Sequence, residues 1–137
     1  MSAPQLARRI DPFPVQPPYH GIYAHAVETA PAARTLHISG QVGLDQAGNL
    51  AGGFEAQCHQ ALDHIESILM EAGMTTANLV KMTFLLIRRT DMDTLVDIRR
   101  ERLEGVRPAV TTVFVAGLVH PDWLIEIEAV AASEHAS

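Results

Sequence analysis

The stretch Val80-Lys-Met-Thr-Phe-Leu-Leu-Ile87 is a nearly continuous apolar run of strand length. A second run, Ala109-Val-Thr-Thr-Val-Phe-Val-Ala116, is opened by Pro108 and closed by Gly117. A sheet with one solvated face alternates apolar and polar residues, whereas these two segments read as apolar on both faces. The surrounding elements supply only part of the cover. Thr35 to Gln41 is a strand with Leu36 and Ile38 on one face, and Tyr23 to Val27 is a shorter one. Leu124 to Ala132 closes the series, with Ile125, Ile127 and Ala129 on one face and Glu126 and Glu128 on the other. Phe54 to Ala72 is the strongest helix: Phe54, Cys58, Ala61, Ile65, Ile68, Leu69 and Ala72 recur at helical spacing before Gly73. Asp91 to Glu104 is a second helix, with Asp91 and Asp93 at its N-terminal end. The order β-β-α-β-α-β-β predicts an α+β fold, a mixed sheet with two helices packed on one face. Nothing in the chain is left to cover the other face, so the periodicity predicts a homo-oligomer with a sheet-lined interface.

At 137 residues the chain has the length of one domain. Five of its eight prolines lie in residues 1–18, which read as an extended N-terminal arm over 1–20, draped over a neighbour, followed by a single domain over 21–133. The formal charge is −6, all of it from residues 51–137. With 5% aromatic residues and no polybasic footprint, nucleic acid is not an expected partner. The lone Cys58 suits a reducing compartment, and neither a membrane span nor a secretory h-region is visible. The expected location is the cytoplasm.

Few residues announce chemistry by themselves. His59 and His64 lie five apart on the first helix and cannot jointly grip a metal, and Cys58 has no Cys partner for zinc. His25 and His37 stand out among the rest because they flank candidate site segments. Cys58 sits on an apolar stripe and reads as a buried, inert thiol. Arg99, Arg100 and Arg102 alternate with Asp97, Glu101 and Glu104 and read as a solvated, salt-bridged helix face. The first helix presents Glu55, Asp63, Glu66 and Glu71 without a basic residue among them. Glu126 and Glu128 are the most suggestive pair. Their face is either simply wet or part of an apolar cleft, in which a carboxylate gains the ability to move protons near neutral pH.

Four segments together resemble one family. Tyr23-Ala-His-Ala-Val27 is similar to its Tyr-Ser-Gln-Ala-Val, and His37-Ile-Ser-Gly-Gln41 to its Ile-Ser-Gly-Gln strand. Leu79-Val-Lys-Met-Thr83 resembles its Val-Lys-x-Thr strand, and Ile125-Glu-Ile-Glu-Ala-Val-Ala131 its C-terminal signature. The family is RidA/YjgF, also called L-PSP endoribonuclease-like, and the likeness spans residues 21–132. It implies a chorismate-mutase-like fold, a homotrimer with small-molecule clefts between subunits, and an enamine/imine deaminase that needs no metal or organic cofactor. By position, Glu126 would orient the attacking water. Tyr23 and Ser39 would line the cleft with the Gly40 backbone nearby, and Thr111 and Thr112 fall where active members carry small polar residues or Cys.

One departure bears on substrate choice. The family's deaminases place an Arg two residues after the Pro of this strand to clamp a substrate carboxylate, and here Pro108-Ala109 is followed by Val110. A valine cannot form the bidentate ion pair that arginine forms. An Asn common in the second helix of active members aligns with Val96. Arg107 precedes Pro108 and is expected to point elsewhere. The leading expectation is therefore a deaminase of weak or altered scope toward a reactive small metabolite. The alternatives are a non-catalytic module that binds a small metabolite, and an endoribonuclease that inhibits translation.

Overall fold

The computed structural model describes residues 7–31 and 33–134; the first six residues of the arm and His135 lie outside them. The elements are β1 (Ala7–Ile10), β2 (Ala26–Thr29), β3 (Arg34–Gln41), α1 (Phe54–Glu71), β4 (Leu79–Leu86), α2 (Met92–Arg102), β5 (Ala109–Phe114) and β6 (Ile125–Ser133). The main sheet has the order β3-β6-β4-β5. β6 runs antiparallel to both β3 and β4, and β4 runs parallel to β5 across the α2 crossover. The fold is α+β with two helices on one face of a mixed sheet, as the periodicity predicted.

Apolar residues on one face of the main sheet build the core. Ile38, Met82, Phe84, Leu86, Ile125, Ile127, Ala129 and Ala131 meet Phe54, Cys58, Ala61, Leu62, Ile65 and Leu69 of α1 and Leu95 and Ile98 of α2. Each large side chain buried there contributes about 1.5–3 kcal/mol. The opposite face is less uniformly apolar than the runs suggested. Its β4 residues are Lys81, Thr83 and Leu85, and its β5 residues include Thr111 and Val113, both exposed. No element among the described residues covers it. None of the described helices is long and apolar enough to cross a membrane.

Two local readings shift. β1 was not expected in a proline-rich arm, yet Ala7–Ile10 precedes the proline cluster and pairs antiparallel with β2, Arg9 opposite Val27. The strand expected at Tyr23 begins three residues later. Ala24 instead donates its N–H to the Pro108 carbonyl (2.9 Å) and bridges Ala109, so this segment runs along the free edge of β5 before turning to β1. Asp11 holds the described part of the arm to its own chain: it accepts the His25 N–H (2.8 Å) and pairs with Arg107. Arg9 Nε donates to the Arg107 carbonyl at 3.1 Å.

Gln57 ties α1 to the chain on either side of it. Only 2% exposed, it accepts the Leu124 N–H (2.9 Å) and donates to the Asp122 carbonyl (3.3 Å). Gly43 packs on its backbone so closely that an added methyl would lie 2.6 Å from Gln57 Cα. The exits of β3 and the entry of β6 are thus both set against one turn of α1.

Replacing Gln57 with Leu leaves the Leu124 N–H without its partner, at an expected cost of about 1–3 kcal/mol, read as a lower urea midpoint with an unchanged slope. The Asp11 tie is pH-dependent. The backbone N–H of His25, with Arg107 beside it, holds the Asp11 carboxyl below its ordinary value of 3.8. A depressed folded pKa gives stabilisation that is full above the ordinary value and lost as pH falls through the folded one. The protection factor of the His25 amide should therefore be constant from neutral pH down to about 4 and then collapse; protection unchanged at pH 2 would contradict this.

Candidate functional site

β3 carries one residue more than β6 between two paired positions. Ile38 lies opposite Ala129 and Gln41 opposite Ile127, so Ser39 and Gly40 form a bulge where three steps on β3 match two on β6. The bulge turns the Gly40 backbone toward Glu126. A methyl group added at Gly40 would stand 2.7 Å from Glu126 Cδ and 2.9 Å from its Oε2. Glycine is required here for close approach. Glu126 is half-buried, with Leu85 its partner on β4, so its carboxylate lies on the open face beside an apolar side chain. Ser39 is exposed, and its carbonyl accepts from Gln41 Nε2 at 3.0 Å.

On the same open face, centred one alternate position along β6 from Glu126, is a cavity of about 270 Å³ whose lining carries Glu128 rather than Glu126, with His37, Ser39, Lys81, Thr83 and Val130 around it. Lys81 Nζ donates to Thr111 Oγ1 at 3.1 Å, which brings β5 to its margin. Lys81 belongs to the Val-Lys-x-Thr resemblance, which says nothing of its charge. The signal was its position: the one basic residue of β4, at open-face parity with Thr83.

The remaining candidates lie elsewhere. Val110 pairs with Met82 and packs against the helix-side core, and Thr112 pairs with Phe84 on that same side. Tyr23 adjoins them through the Ala24–Ala109 bridge, its ring edge-on to His25 at 5.6 Å. Glu126 and Val110 thus project from opposite faces, with β4 between their strands. One chain brings together Ser39, Gly40, Glu126 and, across the sheet, Thr111; it places Tyr23, Val110 and Thr112 at the far edge.

Most cations nearby are committed. Arg107 points away from Val110: its Nε and Nη2 each donate to the Tyr23 carbonyl at 3.2 Å, and it pairs with Asp11. Arg88 is bidentate on Asp91, at 2.9 and 3.0 Å. Two sequence readings need correction. The acidic face of α1 is compensated from outside the helix, since Arg102 of α2 pairs with Asp63 (2.7 Å) and Glu66 (3.4 Å). The α2 basic run is not uniformly solvated either, since Arg99 is only 5% exposed and packs on the Phe84 ring. Helical phase places it beside Val96 and Leu95, which charge patterning alone overlooked. Cys58 is buried as expected, and burial pushes its thiol up to about 12. His64 bonds the Leu44 carbonyl and His59 faces Arg102. Among the described residues no group of His, Cys, Asp and Glu is arranged to hold a metal ion.

A half-buried carboxylate held against the Gly40 backbone, on the face that also carries the Ser39 and Glu128 cavity, can orient water and exchange a proton. Known proteins are similar to this chain in sequence and in fold. The family model described as Endoribonuclease L-PSP matches residues 14–133. A mouse protein named 2-iminobutanoate/2-iminopropanoate deaminase is 40% identical over 113 residues, 81% of each chain. The human protein of that name is 36% identical over 128 residues, 92% of this chain and 90% of its own. Among solved structures, YyfB from Yersinia pestis, a protein of unknown function of the conserved Rid family, matches with a TM-score of 0.85 at 33% identity, over 94% of this chain and 100% of its own. RidA from an Antarctic Psychrobacter matches with a TM-score of 0.68 at 32% identity, over 84% and 91%. Likeness in sequence and likeness in fold thus coincide over nearly the whole length, and the chain belongs to the RidA/YjgF family, described also as Endoribonuclease L-PSP.

Proposed function

We propose that the chain is a hydrolytic deaminase of reactive enamine and imine metabolites, assembled as a homotrimer with its clefts between copies and working in the cytoplasm. The observation that carries this reading is the Glu126 carboxylate seated on the Gly40 bulge. The names of relatives at 36–40% identity support it. The reaction converts an imine and water to a carbonyl compound and ammonia. Water adds to the C=N carbon as Glu126 takes its proton. The carboxyl then returns that proton to nitrogen to give a carbinolamine; the carboxylate next carries the proton of the new hydroxyl to the same nitrogen, and the C–N bond breaks to release ammonia as the carbonyl forms. The Ser39 hydroxyl and the Gly40 N–H are suited to fix the polar end of the substrate. Tyr23 and Thr112 would wall the cleft from a neighbouring copy, since within one chain Thr112 stands on the face opposite Glu126 and Tyr23 lies at the far edge, beside β5. The uncovered face with Leu85, Val113 and Val130 is the surface such an assembly would bury. Val110 offers no charge to a substrate carboxylate, so the range of substrates is altered relative to relatives with arginine there.

Glu126→Gln should lower ammonia release from freshly generated 2-aminoacrylate by roughly 100-fold or more, with little change in melting temperature. Undiminished turnover by that variant removes Glu126 as the proton-transfer group; no turnover above background by the unaltered protein removes the deaminase reading, and ligand binding in its place identifies a binding module instead. Gly40→Ala should cost activity far more than stability. The atoms it strikes are the free end of Glu126, which can swing aside but then leaves its place. A sedimentation mass near three times 14.9 kDa is expected for the assembly.

A further inference from the structure

Arg99 is a buried cation without an anion. Its guanidinium carbon lies 4.8 Å from the centre of the Phe84 ring. Its one hydrogen bond among the described residues is long, 3.4 Å from Nη2 to the Ile22 carbonyl. Arg8, Arg88, Arg102 and Arg107 all pair with carboxylates, and Arg99 has none within 4.0 Å among the described residues. The ionisable groups that act on it are Tyr23 and Cys58. The thiol, with its pKa near 12, is neutral at neutral pH. Burial pulls Arg99 itself down only to about 10, so it keeps its charge there.

Enclosing an unpaired charge is costly, and a packed apolar side chain of similar volume would serve the core better. The guanidinium is nevertheless not sealed in. No buried side-chain nitrogen or oxygen among the described residues lacks a partner, so the donors of Arg99 that are not bonded reach the surface. The Ile22 carbonyl that Nη2 meets lies two residues before the Ala24–Ala109 bridge to the edge of β5, and Tyr23 between them is near enough to act on the guanidinium charge. Phe84, on which Arg99 lies, is paired with Thr112, two residues along β5 from Val110 on the same side of the sheet.

We propose that Arg99 is the anion-binding group of the cleft and takes the carboxylate of a small 2-imino acid. The fork of the guanidinium matches a planar carboxylate, and the Phe84 ring holds that fork in one plane. A positive charge delivered from α2 thus reaches the side of the sheet on which Val110 supplies none. The identity of the substrate rests on the deaminase reading; the anion site does not.

The test is calorimetric titration of the full chain with 2-oxobutanoate, the carboxylate product of 2-iminobutanoate hydrolysis, and with 2-oxobutanamide, its uncharged counterpart. The unaltered protein should prefer the acid by roughly tenfold or more. Arg99→Met should abolish that preference, Arg99→Lys should retain part of it, and Arg99→Met combined with Val110→Arg should restore it. If Arg99→Met alone does not fold, judged by its melting curve, the Lys and double variants decide. An unaltered protein without the acid preference overturns the proposal, as does Arg99→Met that keeps it or a folded double variant that fails to regain it. Ammonia release measured on the same samples separates the two readings. An Arg99-dependent acid preference with no Glu126-dependent turnover defeats the deaminase and leaves the anion site standing. The reverse pattern does the opposite.

Discussion

The single extra residue of β3, facing β6 between the Ile38–Ala129 and Gln41–Ile127 pairs, is the constraint on which the candidate site depends. An unbroken ladder would keep Ser39 and Gly40 in strict alternation and hold the Gly40 backbone away from Glu126. The bulge adds local twist and brings that backbone within van der Waals range of the carboxylate. Only a residue without Cβ can stand there. The Ser-Gly dipeptide therefore encodes a backbone shape, and the shape sets the surroundings of an acid on the neighbouring inner strand of the sheet.

That arrangement is anchored from beneath by α1. Gln57 bonds the segment that enters β6, while Gly43, just beyond β3, lies on its backbone. One buried amide thus coordinates the two strands that carry Gly40 and Glu126. Its cost of burial is met because both ends of the side chain find main-chain partners. Below it, the apolar stripe of α1 supplies the larger part of the packing against the sheet.

Charge is distributed with the same economy. Arg102 crosses from α2 to the acids of α1, Arg88 closes on Asp91, and Arg107 holds the N-terminal arm through Asp11. These pairs are partly exposed and contribute modestly to stability. They matter more as commitments, because a cation already matched is poorly placed to receive a ligand. Against that background, Arg99 stands apart as the guanidinium that is buried and yet has no carboxylate partner among the described residues.

Strand and helix identity was legible in the chain because periodicity reports which side chains must leave water. The alternation of Ile125, Ile127 and Ala129 against Glu126 and Glu128, and the helical recurrence from Phe54 to Leu69, both reappear as burial. The family was legible because four short motifs keep their order. The strand at Ala7–Ile10 was not, since four residues ahead of a proline cluster carry too little pattern and owe their conformation to β2. Nor was the division of the candidate residues between two faces, which depends on the register of β4 against β5 and β6. The burial of Arg99 escaped for a related reason: a run of alternating charges looks the same whichever residue the helix turns inward. Which segments are strands or helices, and which face of each is apolar, follows from local spacing and can be read along the chain. Which side chains meet does not, because strand order, a one-residue bulge and the rotation of α2 about its axis are set by packing between distant segments.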